Sequence, residues 1–237
     1  MLTTQNIRAI YEKIQKQLFY MIPENWDKVY LYASVIDRFN GLQTGEMFFY
    51  YYPKSVLKKN PVNVYEIPSK FNIDEKQYMN LAEKLYNEIK RLKEEHAKAE
   101  DKIWSNITIS IEDCQFKVEY RYDDLISTKY NSYDRHIVWR YQYLKLPLEL
   151  FSKSERNMIQ EFLVDYKNVK TTTYTEGIYK RKVSKNIEYN IERSINKDTY
   201  NKINGKFNKK SSKKLDVADT HNTIKSQILM DLKQPKT

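Results

Sequence analysis

The sequence predicts an α+β fold, with antiparallel hairpins forming a sheet packed against helices and a basic C-terminal extension. Three observations carry that expectation. Ile7, Ile10, Ile14, Leu18 and Met21 recur at three- and four-residue spacing, the buried stripe of an amphipathic helix. Residues 28–36 and 107–111 instead alternate apolar and polar, as strands do. Along the chain the order is helix, hairpin, helix, hairpin, helices, which suits helices laid on an antiparallel sheet.

Pro23 lacks a backbone N–H and fixes its own φ, so the first helix must end near Met21 and Ile22. In the strand that follows, Val29, Leu31, Ala33 and Val35 share one face and Tyr30 and Tyr32 the other, the pattern of a half-buried strand. Asn40-Gly41 supplies turn chemistry before a second run at 46–52. Residues 54–69 read as a loop broken by Pro61 and Pro68, with a short edge strand within 62–65. Asn72 and Glu75 form a capping-box pattern opening a long helix, whose stripe is Tyr78, Leu81, Leu85, Ile89 and Leu92. Its charged far end, 93–102, reads as solvated.

Ile107, Ile109 and Ile111, then Phe116, Val118, Tyr120 and Tyr122, make a second hairpin about a turn at 112–115. An aromatic-rich helix spans 133–144. Ser152 with Glu155 caps a last helix whose stripe is Met158, Ile159, Phe162, Leu163 and Tyr166. Trp26, Trp104 and Trp139 are expected in the core.

Charge divides the chain. Residues 1–170 hold 26 Lys and Arg against 24 Asp and Glu, a net of +2, whereas 171–237 hold 15 against 7, a net of +8. The expected organisation is therefore a domain at 1–170 and a basic extension at 171–237. Within the extension, Val183, Ile187, Ile191 and Ile195 fit a helix, while Ile187, Tyr189 and Ile191 fit a strand, and both stay open. Residues 196–214 read as a disordered linker, and Ile224, Ile228, Leu229 and Leu232 as a short final helix. Richness in Lys, Asn, Ile and Tyr is also what an AT-rich genome encodes, which offers a second account of the basic balance. The lone Cys114 rules out an internal disulfide framework and fits a reducing compartment, so a cytoplasmic location is expected. Neither a long apolar span nor a secretory signal pattern is visible.

Chemistry for catalysis is not evident. His96, His136 and His221 are far apart and show no paired ligand spacing, and four glycines leave no phosphate-cradling loop. No catalytic residue, metal site, cofactor or small-molecule substrate is assigned. Asp123-Asp124 is the best carboxylate pair, but neighbours on a strand point to opposite faces, which favours a turn or cap over convergence. Glu94, Glu95, Glu100, Asp101, Glu112, Asp113, Glu119, Asp123 and Asp124 cluster in the middle third. They would form one negative surface if the second hairpin lay beside the end of the long helix. Interleaved Lys90, Lys93, Lys98 and Lys102 would instead make it an ordinary solvated face. Tyr50, Tyr51 and Tyr52 are either exposed anchors for a partner or sheet packing. In the extension, Lys180, Arg181, Lys182, Lys209, Lys210, Lys213 and Lys214, interleaved with aromatics, have the ingredients of nucleic-acid contact.

The run Met-Ile-Pro-Glu-Asn-Trp-Asp-Lys-Val-Tyr-Leu-Tyr from Met21 to Tyr32 has an echo in Tyr120-Arg-Tyr-Asp-Asp-Leu125, Arg135 and Ile137-Val-Trp139-Arg-Tyr141-Gln-Tyr-Leu144. Together with Ile67-Pro68 and Trp104, this ordered set resembles the YezG family over residues 5–166. That family comprises antitoxins, or immunity proteins, of Firmicutes that accompany toxins of the type VII secretion system. The resemblance implies a non-enzymatic protein that binds a secreted toxin, a nuclease, and holds it inactive in the producing cell. Glu112, Asp113, Glu119, Asp123, Asp124 and Tyr50–Tyr52 are the candidate toxin-binding residues. The family is acidic as a rule, and the net of +2 here weighs against recognition by bulk charge alone. The competing expectation is a nucleic-acid-binding or regulatory protein acting through its tail.

Overall fold

The structure, a computed structural model, describes residues 4–37, 43–54, 60–98 and 103–178. Helix α1 (Gln5–Met21) begins where the Thr4 side chain accepts the Ile7 N–H at 3.2 Å, and it ends at extended Ile22, just before Pro23. Strand β1 (Trp26–Ser34) follows, then the two-residue strands β2 (Ile36–Asp37) and β3 (Gln43–Thr44), then β4 (Met47–Pro53). β5 (Val62–Asn63) leads through a 3₁₀ turn into the short helix α2 (Ile67–Phe71) and the long helix α3 (Glu75–Ala97). The remaining elements are β6 (Asn106–Glu112), β7 (Gln115–Arg121), α4 (Ser132–Tyr143), α5 (Lys153–Asp165) and β8 (Thr171–Gly177). Six strands form one antiparallel sheet in the order β5-β4-β1-β6-β7-β8, and β2 and β3 form a small ribbon. The fold is α+β.

Each face of the sheet has its own core. On the first face, the α1 stripe and Tyr78, Leu85, Ile89 and Leu92 of α3 close over Val29, Leu31, Phe49, Ile107, Ile109, Phe116 and Val118. On the second, Trp139 and Leu144 of α4 cover Tyr30, Tyr32, Phe48 and Tyr50. β1 is therefore buried on both faces from Val29 to Ser34, not half-buried as its alternation suggests, because tyrosine rings and not polar groups occupy its second face. A third cluster, Tyr130, Ile137, Val138, Phe151, Ile159 and Phe162, joins α5 to α4.

Several local expectations change. The long helix is capped by Asp74, whose Oδ1 accepts the Gln77 N–H at 2.7 Å, not by Asn72. Asn72 instead closes α2 at φ 56°, a left-handed position that asparagine tolerates. The far end of α3 is not simply solvated. Lys93 is buried, donating to Val35 O at 2.6 Å and Asp37 Oδ2 at 2.7 Å, and buried His96 Nδ1 accepts the Trp104 Nε1–H at 2.8 Å. Trp104 and Trp139 are core, whereas Trp26 is half-buried against Phe19, their ring centres 5.0 Å apart. The capping box at Ser152 and Glu155 forms as expected. The sheet runs past residue 170, since Thr171–Gly177 pairs with β7 along its whole length. The expected linker and helices beyond residue 178 lie outside the described residues.

Candidate functional site

The second hairpin turns on two residues, Asp113 at φ 49° and Cys114 at φ 62°. Positive φ at both positions matches the right-handed twist of the flanking strands and fixes the closing pair Glu112–Gln115. That register sends Thr108, Ser110 and Glu112 of β6 to the same face as Gln115, Lys117, Glu119 and Arg121 of β7. β8 adds Thr171, Thr173 and Thr175 to that face. It is the second face, because Ser110 pairs with Tyr30 and Thr108 with Tyr32.

α4 covers only part of this face. Trp139 packs on Tyr32, Phe48 and Tyr50, and its Nε1–H donates to Thr108 Oγ1 at 3.1 Å, so the helix reaches across β4 and β1 to the margin of β6. Beyond that margin Gln115, Lys117, Thr171, Thr173 and Thr175 are exposed. The result is an open polar tray on β7 and β8, with Glu112 at its β6 corner and Thr108 and Ser110 buried, walled on one side by α4, where the Tyr143 hydroxyl donates to Glu119.

Charge on the tray is mixed. Lys28 Nζ lies 3.1 Å from Glu112 Oε2, and the Tyr30 hydroxyl donates to the same oxygen at 3.0 Å. Partial burial raises the Glu112 pKa, but these two donors outweigh it and hold the carboxyl below its ordinary value. Burial and the Glu112 carboxylate push the Tyr30 hydroxyl well above the usual tyrosine range. Lys117 and Glu119 sit 3.9 Å apart along β7.

The expected single acidic surface does not form. Glu112 and Asp113 lie at the hairpin tip, while Asp123 and Asp124 lie past the other end of β7, separated by roughly 20 Å of strand. Asp123 is buried, holding Arg121 Nε at 3.0 Å and Nη2 at 3.2 Å and accepting from Asn106 Nδ2 at 2.9 Å. This forked pair stands in a small cleft with Trp139 and Tyr143 at the end of the tray. Asp124 Oδ1 accepts the Ile126 and Ser127 N–H groups at 3.0 and 2.9 Å, closing a turn. Glu95 pairs with Lys98, and Glu100 and Asp101 lie outside the described residues. The exposed aromatic patch does not form either. Tyr50 is buried beneath α4 with its hydroxyl 2.9 Å from His136 Nε2, Tyr51 is buried on the opposite face against Glu24, and Tyr52 is half-buried with its hydroxyl on Leu144 O at 2.6 Å. Lys180, Arg181, Lys182, Lys209, Lys210, Lys213 and Lys214 lie outside the described residues.

β8 is not among the elements expected from the residue pattern. Thr171–Gly177 lacks apolar alternation, and its signal is the strand preference of threonine and tyrosine. Tyr174 stacks on Tyr11 at 4.5 Å between ring centres, and Gln15 Nε2 donates to Glu176 Oε1 at 2.5 Å. Among the described residues no group of three His, Cys, Asp or Glu side chains could hold a metal ion, and no helix is long and apolar enough to cross a membrane.

The family model "Immunity protein YezG-like" matches residues 7–160. The immunity protein YezG of Bacillus spizizenii is 32% identical over 165 residues, covering 69% of this chain and 94% of that protein. The immunity protein YezG of Bacillus subtilis is 29% identical over 139 residues, 58% of this chain and 87% of that protein. The type VII secretion system protein EsaG of Staphylococcus aureus is 25% identical over 140 residues, 58% of this chain and 81% of that protein. The matched segment takes in both hairpins, the wall helix α4 and most of α5, and with that span the chain belongs to the YezG-like immunity protein family.

Proposed function

We propose that this chain is a non-enzymatic antitoxin that binds a cognate toxin of the type VII secretion system, a nuclease, and holds it inactive in the cytoplasm of the producing cell. The observation that carries the binding mode is the tray. A sheet edge that α4 leaves uncovered, bearing Glu112 and Lys117 on rigid strands beside exposed Thr173 and Thr175, with Glu119 half-buried at its wall against Tyr143, offers patterned charge without bulk charge. Family membership supports the immunity role, and the type VII system named for EsaG supports the class of partner. Glu112, Asp113 and Glu119 are the toxin contacts. Asp123 and Tyr50 act through the scaffold, the first by orienting Arg121 and the second by seating α4.

The test is co-expression with the toxin encoded beside this chain. Capture of the toxin on the tagged chain, with loss of toxin activity and survival of the host, is the expected result. No complex and no protection would sink the proposal. A complex with a toxin that leaves nucleic acid intact would retain the immunity role and remove the nuclease.

A further inference from the structure

β8 is the outermost strand of the sheet, and its register shows which backbone groups it presents. Ile178 N–H donates to Cys114 O at 2.9 Å, and β7 pairs Phe116 with Glu176, Val118 with Tyr174 and Tyr120 with Thr172. Antiparallel ladders alternate, so Thr172, Tyr174 and Glu176 turn their N–H and C=O groups toward β7. Thr171, Thr173 and Thr175 turn theirs outward. No strand among the described residues pairs with that outer side.

Natural sheets guard such edges with shortness, proline, lysine or a bulge. The opposite edge obeys this rule, since β5 is two residues long and follows Pro61. β8 does not. Its seven residues, Thr-Thr-Thr-Tyr-Thr-Glu-Gly, contain no proline and no lysine, and its register with β7 is unbroken. The only charge, Glu176, is engaged by Gln15, and Tyr174 is stacked on Tyr11, so α1 holds the strand ready.

We propose that the outer edge of β8 receives an extended strand of the partner toxin, joined by main-chain hydrogen bonds and flanked by acidic residues. The proposal rests on the immunity role above. Charge selects the occupant. Each chain carries +10, of which +8 lies in 171–237, and Lys180-Arg181-Lys182 follows β8 almost directly in sequence. That excess repels a second copy and attracts an acidic flank. β8 also lies beyond the residues matched by the family model, so this edge is a means for one chain to select its own toxin.

Thr173→Pro with Thr175→Pro removes two outward donors and leaves the β7 ladder intact, whereas Thr172→Pro removes a donor to β7. The double variant is expected to keep the parent's thermal midpoint and to bind the toxin at least about tenfold more weakly, while Thr172→Pro lowers the midpoint. A folded double variant with parental affinity would overturn the proposal. Should the double variant unfold, amide exchange in the parent decides. The Thr173 and Thr175 amides must slow when toxin is added, and unchanged exchange overturns strand addition. A parent chain that neither binds nor protects fails the immunity role itself, whereas binding that survives the edge change fails strand addition alone. Dimerisation abolished by the double variant would assign the edge to a second copy and overturn the toxin as occupant.

Discussion

Arg135 Nε donates to Glu46 Oε1 at 2.6 Å, and this ion pair, with side chains 13% and 6% exposed, fastens α4 to the start of β4. Ser132 donates to the other Glu46 oxygen, and Arg135 Nη1 reaches Tyr130 O at 2.7 Å. Losing one member leaves an uncompensated buried charge, which costs about 3–5 kcal/mol, whereas apolar replacement of both is close to neutral. Arg135→Leu is therefore expected to lower the urea midpoint sharply, and adding Glu46→Leu to recover much of the loss. A double variant no more stable than Arg135→Leu alone would deny the coupling.

How far residue pattern reaches is visible in particular elements. The α1 stripe, Pro23, the two-residue turn after Glu112 and the box at Ser152 and Glu155 are local signals, and local signals survive into the fold. Asn72 misleads because asparagine serves both as an N-cap and as a left-handed helix end, and only the path of α2 decides between them. Lys93 and His96 read as solvated because burial of a polar group depends on distant partners, here Val35, Asp37 and Trp104. The site was harder still. Glu112 and Asp124 look adjacent along the chain, yet a strand carries them to opposite ends of the sheet. The tray exists because α4 reaches β7 only at Glu119, through Tyr143, and leaves Gln115, Lys117 and the outer threonines of β8 bare, which is a fact of packing and not of pattern.

Gly45 marks a close approach. A Cβ there would lie 2.0 Å from Ser34 O and 2.0 Å from the Tyr86 hydroxyl, which donates to Ser34 O at 2.8 Å. Gly45→Ala must displace backbone as well as side chain and is expected to cost about 1–3 kcal/mol. Tyr86→Phe in the same chain removes one of the two clashes and should not restore stability, because the Ser34 carbonyl remains. Thermal unfolding of the parent and the two variants checks this, and a fully stable Gly45→Ala would refute the tight approach.

His136 couples stability to acid. Burial, and then the positive charge of Arg140, lower its pKa from the ordinary 6.5 to about 3, while Nε2 stays 2.9 Å from the Tyr50 hydroxyl and the ring stacks on Phe48 at 4.3 Å. Between those two pKa values the unfolded chain binds a proton that the folded chain refuses, so stability falls as pH falls from about 6.5 toward about 3. The expected slope from this group is about 1.4 kcal/mol per pH unit. His136→Gln should remove that contribution to the slope while leaving the carboxylate contributions in place. Identical slopes in parent and variant would show that His136 titrates normally in the fold.

Glu112 and Lys117 allow charge pattern to be separated from charge amount. Both stand on the tray, and exchanging them as Glu112→Lys with Lys117→Glu leaves the net charge of the chain unchanged. The exchange also removes the acceptor of the Tyr30 hydroxyl and sets like charges beside Lys28 and Glu119, so stability is expected to fall by about 1–3 kcal/mol, and association is compared at a temperature where the exchanged chain is folded. If the toxin reads the tray, association should slow about tenfold or more, with the difference shrinking at high salt as the charges are screened. The same exchange on α1, Glu12→Lys with Lys16→Glu, lies on the exposed side of the other layer and should leave binding unchanged. Stopped-flow association across a salt series separates the two. Equal rates for the tray exchange and the α1 exchange would place the toxin on another surface.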